Sequence, residues 1–240
     1  MQSTACFRTF TLGAIGAVLL GPAAFAGDPG GTLAEAPGEA SMVAYFQTPH
    51  QIKLSAQGAP TAKSPGDAYD LLIEVAPSAQ PTGFREQTPA YSTVVTTSLQ
   101  KNGLAVSSTS ATVYYRLRPF GLLGKSVGKG SPYGVVKGFH PLPATLTVGS
   151  SGPFNHMGFY HDADMAAVDA YQTGSYSVSP NDASSLLLCL RTELSNVTSK
   201  GVEDGLAAQA ETDCYRIGAG GNASLVSVEL PVGGETLVFR

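Results

Sequence analysis

The sequence predicts an all-β, antiparallel protein, most simply a β-sandwich. Three observations carry this. Short runs rich in β-branched and aromatic residues alternate with Gly, Pro, Asn and Ser. About ten such runs follow one another at the spacing of a sandwich or barrel. Charged residues make up only 13% of the chain, Trp is absent and Gly numbers 28. That composition suits polar, uncharged strand faces better than a helical enzyme.

The runs are Tyr69–Val75, Tyr91–Leu99, Ala111–Leu117, Tyr133–Phe139 and Ala144–Val148, then Ser175–Val178, Leu186–Leu194, Thr212–Ile217, Leu225–Leu230 and Thr236–Phe239. Asn102-Gly103 is a hairpin turn signal, because both residues tolerate positive φ. Gly218–Asn222 turns the chain between two further runs. Two short stretches, Asp164–Tyr171 and Glu203–Glu211, read as brief helices. The sandwich expected is immunoglobulin-like or jelly-roll-like. TVYYRLRPFGLLG at 112–124 and TDCYRIGAGGNAS at 212–224 share a Tyr-Arg-aliphatic core before a Gly-rich turn. This echo marks either two packed β lobes, 42–150 and 151–240, or two ordinary strand–turn units.

Residues 1–26 carry Arg8, an apolar run from Thr11 to Leu20, a break at Pro22 and Ala24-Phe25-Ala26. This is the grammar of a signal peptide cleaved after Ala26. The run is shorter than the roughly 20 residues a spanning helix needs. Cys6 lies inside the signal segment. The reading is a periplasmic or secreted protein with no transmembrane segment in the mature chain. Residues 27–41, rich in Gly, Pro and Ala, read as a disordered lead-in. Cleavage leaves Cys189 and Cys214, an even pair in an oxidising compartment, hence one disulfide near the C-terminal end. Closing a loop of about 26 residues is worth on the order of 3.5 kcal/mol on the chain-entropy model. Two Cys alone do not make a structural zinc site. Leu187, Leu190, Leu194, Tyr215, Ile217, Leu225, Val226, Val228 and Leu230 are the core candidates at that end, with strand alternation deciding which face inward.

Charge is unevenly laid out. Residues 87–161 contain no Asp or Glu but carry Lys101, Arg116, Arg118, Lys125, Lys129 and Lys137. The flanking segments are acidic. Either the basic middle pairs with those flanks across packed strands, or Arg116, Arg118, Lys125, Lys129 and Lys137 offer a face to an anionic partner. Nucleic acid fits poorly, since the chain is acidic overall with formal charge -4 and no aromatic-basic motif accompanies the patch.

The catalytic motifs do not hold together. Gly124-Lys125-Ser126-Val127-Gly128 matches G-x-S-x-G, yet no acid lies between Ser126 and the last His, and no helix can start well in the Gly-rich sequence that follows. Ser126 and Lys129 lack the helix that a Ser–Lys pair needs. A phosphate loop fails because Pro119 stands where its leading Gly belongs. The stretch reads as a flexible turn with solvated lysines. FNHMGFYHDADM, residues 154–165, gathers His156, His161, Asp162 and Asp164, a candidate metal set with His140 as a further member. The spacing of the two His matches neither one helix face nor one strand face. The plainer reading has Asp162 or Asp164 capping a helix over Met165–Tyr171, with the His residues on the surface. Asn196-Val-Thr198 and Asn222-Ala-Ser224 match the glycosylation pattern on loops.

No catalytic residues and no cofactor emerge from this. Three functions remain open. The first is a non-catalytic envelope or secreted module that binds a protein or anionic polymer. The second is a metal-binding protein or metal-dependent enzyme centred on His156–Asp164. The third is a surface protein that assembles with itself by strand pairing.

Overall fold

The computed structural model describes residues 32–59, 66–85, 87–127 and 132–240. The expected signal segment and its cleavage point lie outside these residues, as does Lys129. The described chain opens with a short strand, β1 (Glu35–Pro37), and a helix, α1 (Gly38–Gln47). There follow β2 (His50–Gln57), β3 (Ala68–Pro77), β4 (Thr82–Phe84), β5 (Gln87–Lys101), β6 (Leu104–Leu117), β7 (Phe120–Val127), β8 (Tyr133–Phe139) and β9 (Thr145–Thr147). The second half holds β10 (Ser151–Tyr160), β11 (Ala170–Asp182), β12 (Ser185–Ser195), a helical turn α2 (Ser199–Glu203), β13 (Gln209–Gly218), β14 (Ala223–Val232) and β15 (Glu235–Phe239).

The fold is all-β and antiparallel, but its strands do not divide into two facing sheets. Twelve of them follow one path, β15-β14-β13-β12-β11-β10-β8-β7-β6-β5-β3-β2, with β4 paired onto β5 beside it, while β1 and β9 pair with each other in a separate two-stranded sheet. Each strand pairs antiparallel with its neighbour on that path. The two ends of the path meet. Ser55 N–H donates to the Arg240 carbonyl at 2.8 Å, and Arg240 N–H returns the bond at 2.9 Å. The result is a nearly closed, barrel-like sheet, which removes most of the free edge an open sheet would carry. Tight turns produce this order, because each hairpin lays a strand against the one before it. Asn102 (φ 51°) and Gly103 (φ 78°) make the β5–β6 turn as their sequence predicts. Strand β10 begins at Ser151 and pairs with β8 on one side and β11 on the other. The sheet is therefore continuous through the position where two lobes were expected to part.

Alternation sorts the strands into an apolar inner face and a polar outer one. Leu71, Ile73, Val75, Val95, Leu99, Val113 and Tyr115 point inward from β3, β5 and β6. Thr96 bonds Ser110 and Ser98 bonds Ser108 on the outer face of β5 and β6. Of the core candidates, Leu190, Leu194, Tyr215, Ile217, Leu225, Val228 and Leu230 are buried, whereas Leu187 and Val226 fall on the alternate face and are only partly covered. Tyr115 and Tyr215, the echoed tyrosines, both lie in the core.

Helix α1 corrects the expected lead-in. Residues 35–41 are β1 and the start of α1, not loose chain. Gly38, Ser41, Met42, Tyr45 and Phe46 form one buried stripe, the i, i+3, i+4, i+7, i+8 pattern of an amphipathic helix. Glu39 in the first turn suits the positive end of the helix dipole. Phe46 stacks on Phe120 at 5.3 Å and Tyr45 meets Tyr215 edge-on at 4.9 Å. The helix thus fills space enclosed by β3, β7 and β14.

Two further expectations change. Residues 161–169 form turns rather than a helix, with Met165 at φ 54°. The second short helix sits earlier than expected, at Ser199–Glu203, and Gln209 already begins β13. The disulfide is formed. Cys189 and Cys214 stand directly opposite each other on β12 and β13, on the outer face. Among the described residues no helix is long and apolar enough to cross a membrane.

Candidate functional site

The outer face of β6, β7, β8 and β10 departs from the polar pattern. There β4 folds back on β5, pairing Thr82 with Ala90, and lays Phe84 over the sheet. Phe84 stacks on Tyr114 at 4.5 Å and joins Leu123, Val135 and Tyr160 in a small second core. Gly124 makes this approach possible, since a Cβ there would come within 2.3 Å of the Phe84 ring.

Beside this core lies a cleft of about 340 Å³, lined by Phe84, Arg85, Arg116, Leu123, Val135, Val136, Lys137 and Phe139. Its floor is aromatic and aliphatic. Among the described residues its polar groups are three cations, and no Asp or Glu lines it. Arg116 and Lys137 project outward from β6 and β8 at alternate positions to the buried Tyr115 and the partly buried Val136. The Arg116 guanidinium stands over the Phe139 ring at 5.2 Å, and the Lys137 ammonium over the Tyr160 ring at 5.1 Å. Such contacts hold the long side chains along an apolar surface. Arg85 follows β4 in a left-handed conformation (φ 54°), its Nη1 2.7 Å from Met165 Sδ. Three like charges around a low-dielectric floor make a positive potential that draws anions.

The structure divides the basic set expected from the sequence. Arg116 and Lys137 come together at the cleft. Arg118 lies exposed in the β6–β7 turn, before Pro119. Lys125 belongs to no outer patch, which corrects that assignment. The Gly124–Val127 stretch is strand β7 rather than a flexible turn. Lys125 pairs with Val113, which faces the core, and so points into the barrel with 3% of its surface exposed. Arg85 was missed because it precedes the acid-free segment and is followed by Glu86 in the chain. Only the β4–β5 pairing brings it beside Arg116.

The candidate metal residues are spread out. His156 lies on the outer face of β10, its ring 5.9 Å from that of Tyr171. His140 approaches the same face, since a Cβ on Gly138 would lie 3.1 Å from its Nε2 and 3.9 Å from the His156 Cβ. His161 instead follows β10 in the loop, where its Nδ1 is 2.7 Å from Asp204 Oδ2. Asp162 Oδ1 accepts the Asp164 N–H at 3.0 Å and so closes a turn, in place of the expected helix cap. Among the described residues no three His, Cys, Asp or Glu side chains converge. Asn196 and Asn222 are exposed, on loops.

Comparison with known proteins finds no matching family model, no matching curated protein and no matching solved structure.

Proposed function

We propose that this is an exported, non-catalytic binding protein that holds an anionic polymer of the cell envelope or exterior at the cleft of Arg85, Arg116 and Lys137. The single observation that carries the reading is this trio of cations around an apolar floor. Sulfate, phosphate or carboxylate groups along a polymer would meet the cations, and its less polar backbone would rest on Phe84 and Phe139. The Cys189–Cys214 bond fits the oxidising compartment that export implies. Self-assembly by strand pairing has less to work with, because β2 and β15 bond to each other through Ser55 and Arg240.

Titration calorimetry with dextran sulfate tests the reading, with neutral dextran of equal length as the control. The expected result is saturable binding of the sulfated polymer alone, lost in the triple variant R85Q/R116Q/K137Q and retained when exposed Lys200 and Arg216 are changed to Gln. Equal binding by the cleft variant and the parent would overturn it.

A further inference from the structure

The outer face does not end at Lys137. It continues across β10 to β11, with ring side chains in place of cations. Gly138 at the end of β8 pairs with His156 on β10, and His156 pairs with Thr173 on β11. Tyr171, two residues before Thr173, pairs with Gly158 and shares the outer face. Its neighbour Gln172 points inward and is 2% exposed, whereas Tyr171 is 36% exposed. His156 is exposed as well, and the two rings stand 5.9 Å apart.

Two glycines keep the surface between the cleft and these rings low. A Cβ on Gly158 would meet Lys137 Cε at 3.2 Å and the Tyr160 hydroxyl at 3.3 Å, and one on Gly138 would meet His140 Nε2 at 3.1 Å. Lys137 and His140 therefore lie along the sheet, over the glycines, instead of standing out from it. From Arg116 on β6 to Tyr171 on β11 the track crosses four strand spacings, roughly 19 Å. The sequences of β6, β7, β8 and β10 contain no Asp or Glu. Glu193 on β12, exposed opposite Thr173, closes the positive stretch.

Three kinds of polyanion differ in how they suit this track. A polyphosphate has the charge but no apolar face for the rings. An acidic peptide gains most by pairing with a free strand edge, and β6, β7, β8, β10 and β11 each have a strand on both sides. A chain of acidic sugars offers both features. Its charged groups meet the cations, and the C–H faces of its rings, slightly positive, rest on the negative faces of aromatic rings. We infer that the polymer held at the cleft is an anionic polysaccharide, lying across the strands from Arg116 to Tyr171 with sugar rings stacked on His156 and Tyr171. This rests on the reading of the cleft as an anion site, names the class of polymer and extends the surface it touches.

Polygalacturonate, polyphosphate and poly-L-glutamate of matched charge are the probes, compared by titration calorimetry. The parent should bind polygalacturonate about tenfold more tightly than either of the others, the margin expected of two ring contacts of ordinary strength. H156A/Y171A should lose that margin while its circular dichroism shows an unchanged sheet. If the double variant folds poorly, Tyr171→Ser takes its place and should narrow the margin. NMR of the parent should show contacts from sugar ring protons to the Tyr171 ring. Equal affinity for the three polymers, or an undiminished margin in the folded variant, overturns the inference and leaves the cleft reading intact. Failure of all three to bind, or equal binding by R116Q/K137Q and the parent, strikes the cleft reading first and this one with it.

Discussion

The ammonium of Lys125 on β7 reaches the side-chain carbonyl of Gln172 on β11 at 3.0 Å, across the inside of the barrel. Burial lowers the Lys125 pKa from 10.5 to about 8, against the opposing pull of the Glu211 and Asp213 charges. The folded state therefore binds fewer protons than the unfolded chain between about pH 8 and 10.5. Stability rises with pH through that window. The shift corresponds to roughly 3 kcal/mol between its two ends. Urea midpoints measured at pH 7.5 and pH 10 check this. The parent gains stability over that interval from this residue, and Lys125→Met removes the gain.

His50 makes the opposite end of the pH curve visible. Its Nδ1 is 2.6 Å from the Thr48 carbonyl, and burial lowers its pKa from 6.5 to about 3. A depressed pKa means stability that is complete above pH 6.5 and drains away as the pH falls toward 3. His50→Gln keeps a donor for Thr48 but cannot titrate. Melting curves from pH 7 to pH 4 should fall less steeply for this variant than for the parent.

Helix α1 is part of the core, and Phe46 is its most consequential side chain. It lies 1% exposed against Phe120 and Tyr115, and its carbonyl accepts from buried Thr93 Oγ1 at 2.8 Å. Phe46→Ala should cost about 3–5 kcal/mol, the usual range for a buried Phe replaced by Ala. A loss below about 1 kcal/mol in chemical unfolding would mean that residues 38–47 do not pack as described.

The Cys189–Cys214 bond joins strands that are already paired, with 25 residues of sequence separation. Changing both to Ser should lower stability by about 2–4 kcal/mol and leave the strand content intact. Circular dichroism with and without reductant measures both.

Much of this was legible in the residues. β-branched runs marked most strands, and Asn102-Gly103 marked a hairpin. Alternation carried more than was read from it. Tyr215 and Ile217 were expected in the core, and Asp213 and Glu211 share their parity, so both acids had to face inward. Helix α1 went unseen because Gly and Pro around it suggest loose chain, although positions 38, 41, 42, 45 and 46 carry its stripe. Strand β7 was obscured by Gly121, Gly124 and Lys125, residues that read as a turn until Val113 and Tyr115 supply a partner face. Barrel closure was out of reach for another reason. Alternation says which side of a sheet is buried, but the last strand meets the first through backbone atoms of Ser55 and Arg240, which leave no mark on residue type. The cleft was half legible: Arg116 and Lys137 belonged to the acid-free segment, while Phe84 and Arg85 join them only through the β4 fold-back.

The most direct test of the central claim, an anion-binding cleft on the barrel's outer face, is the salt dependence of the dissociation constant for dextran sulfate. Log affinity should fall linearly with log salt, with a slope set by about three neutralised charges, and R116Q/K137Q should flatten it. An affinity indifferent to salt, or an equal slope in that variant, would contradict the assignment of Arg85, Arg116 and Lys137 as the binding surface.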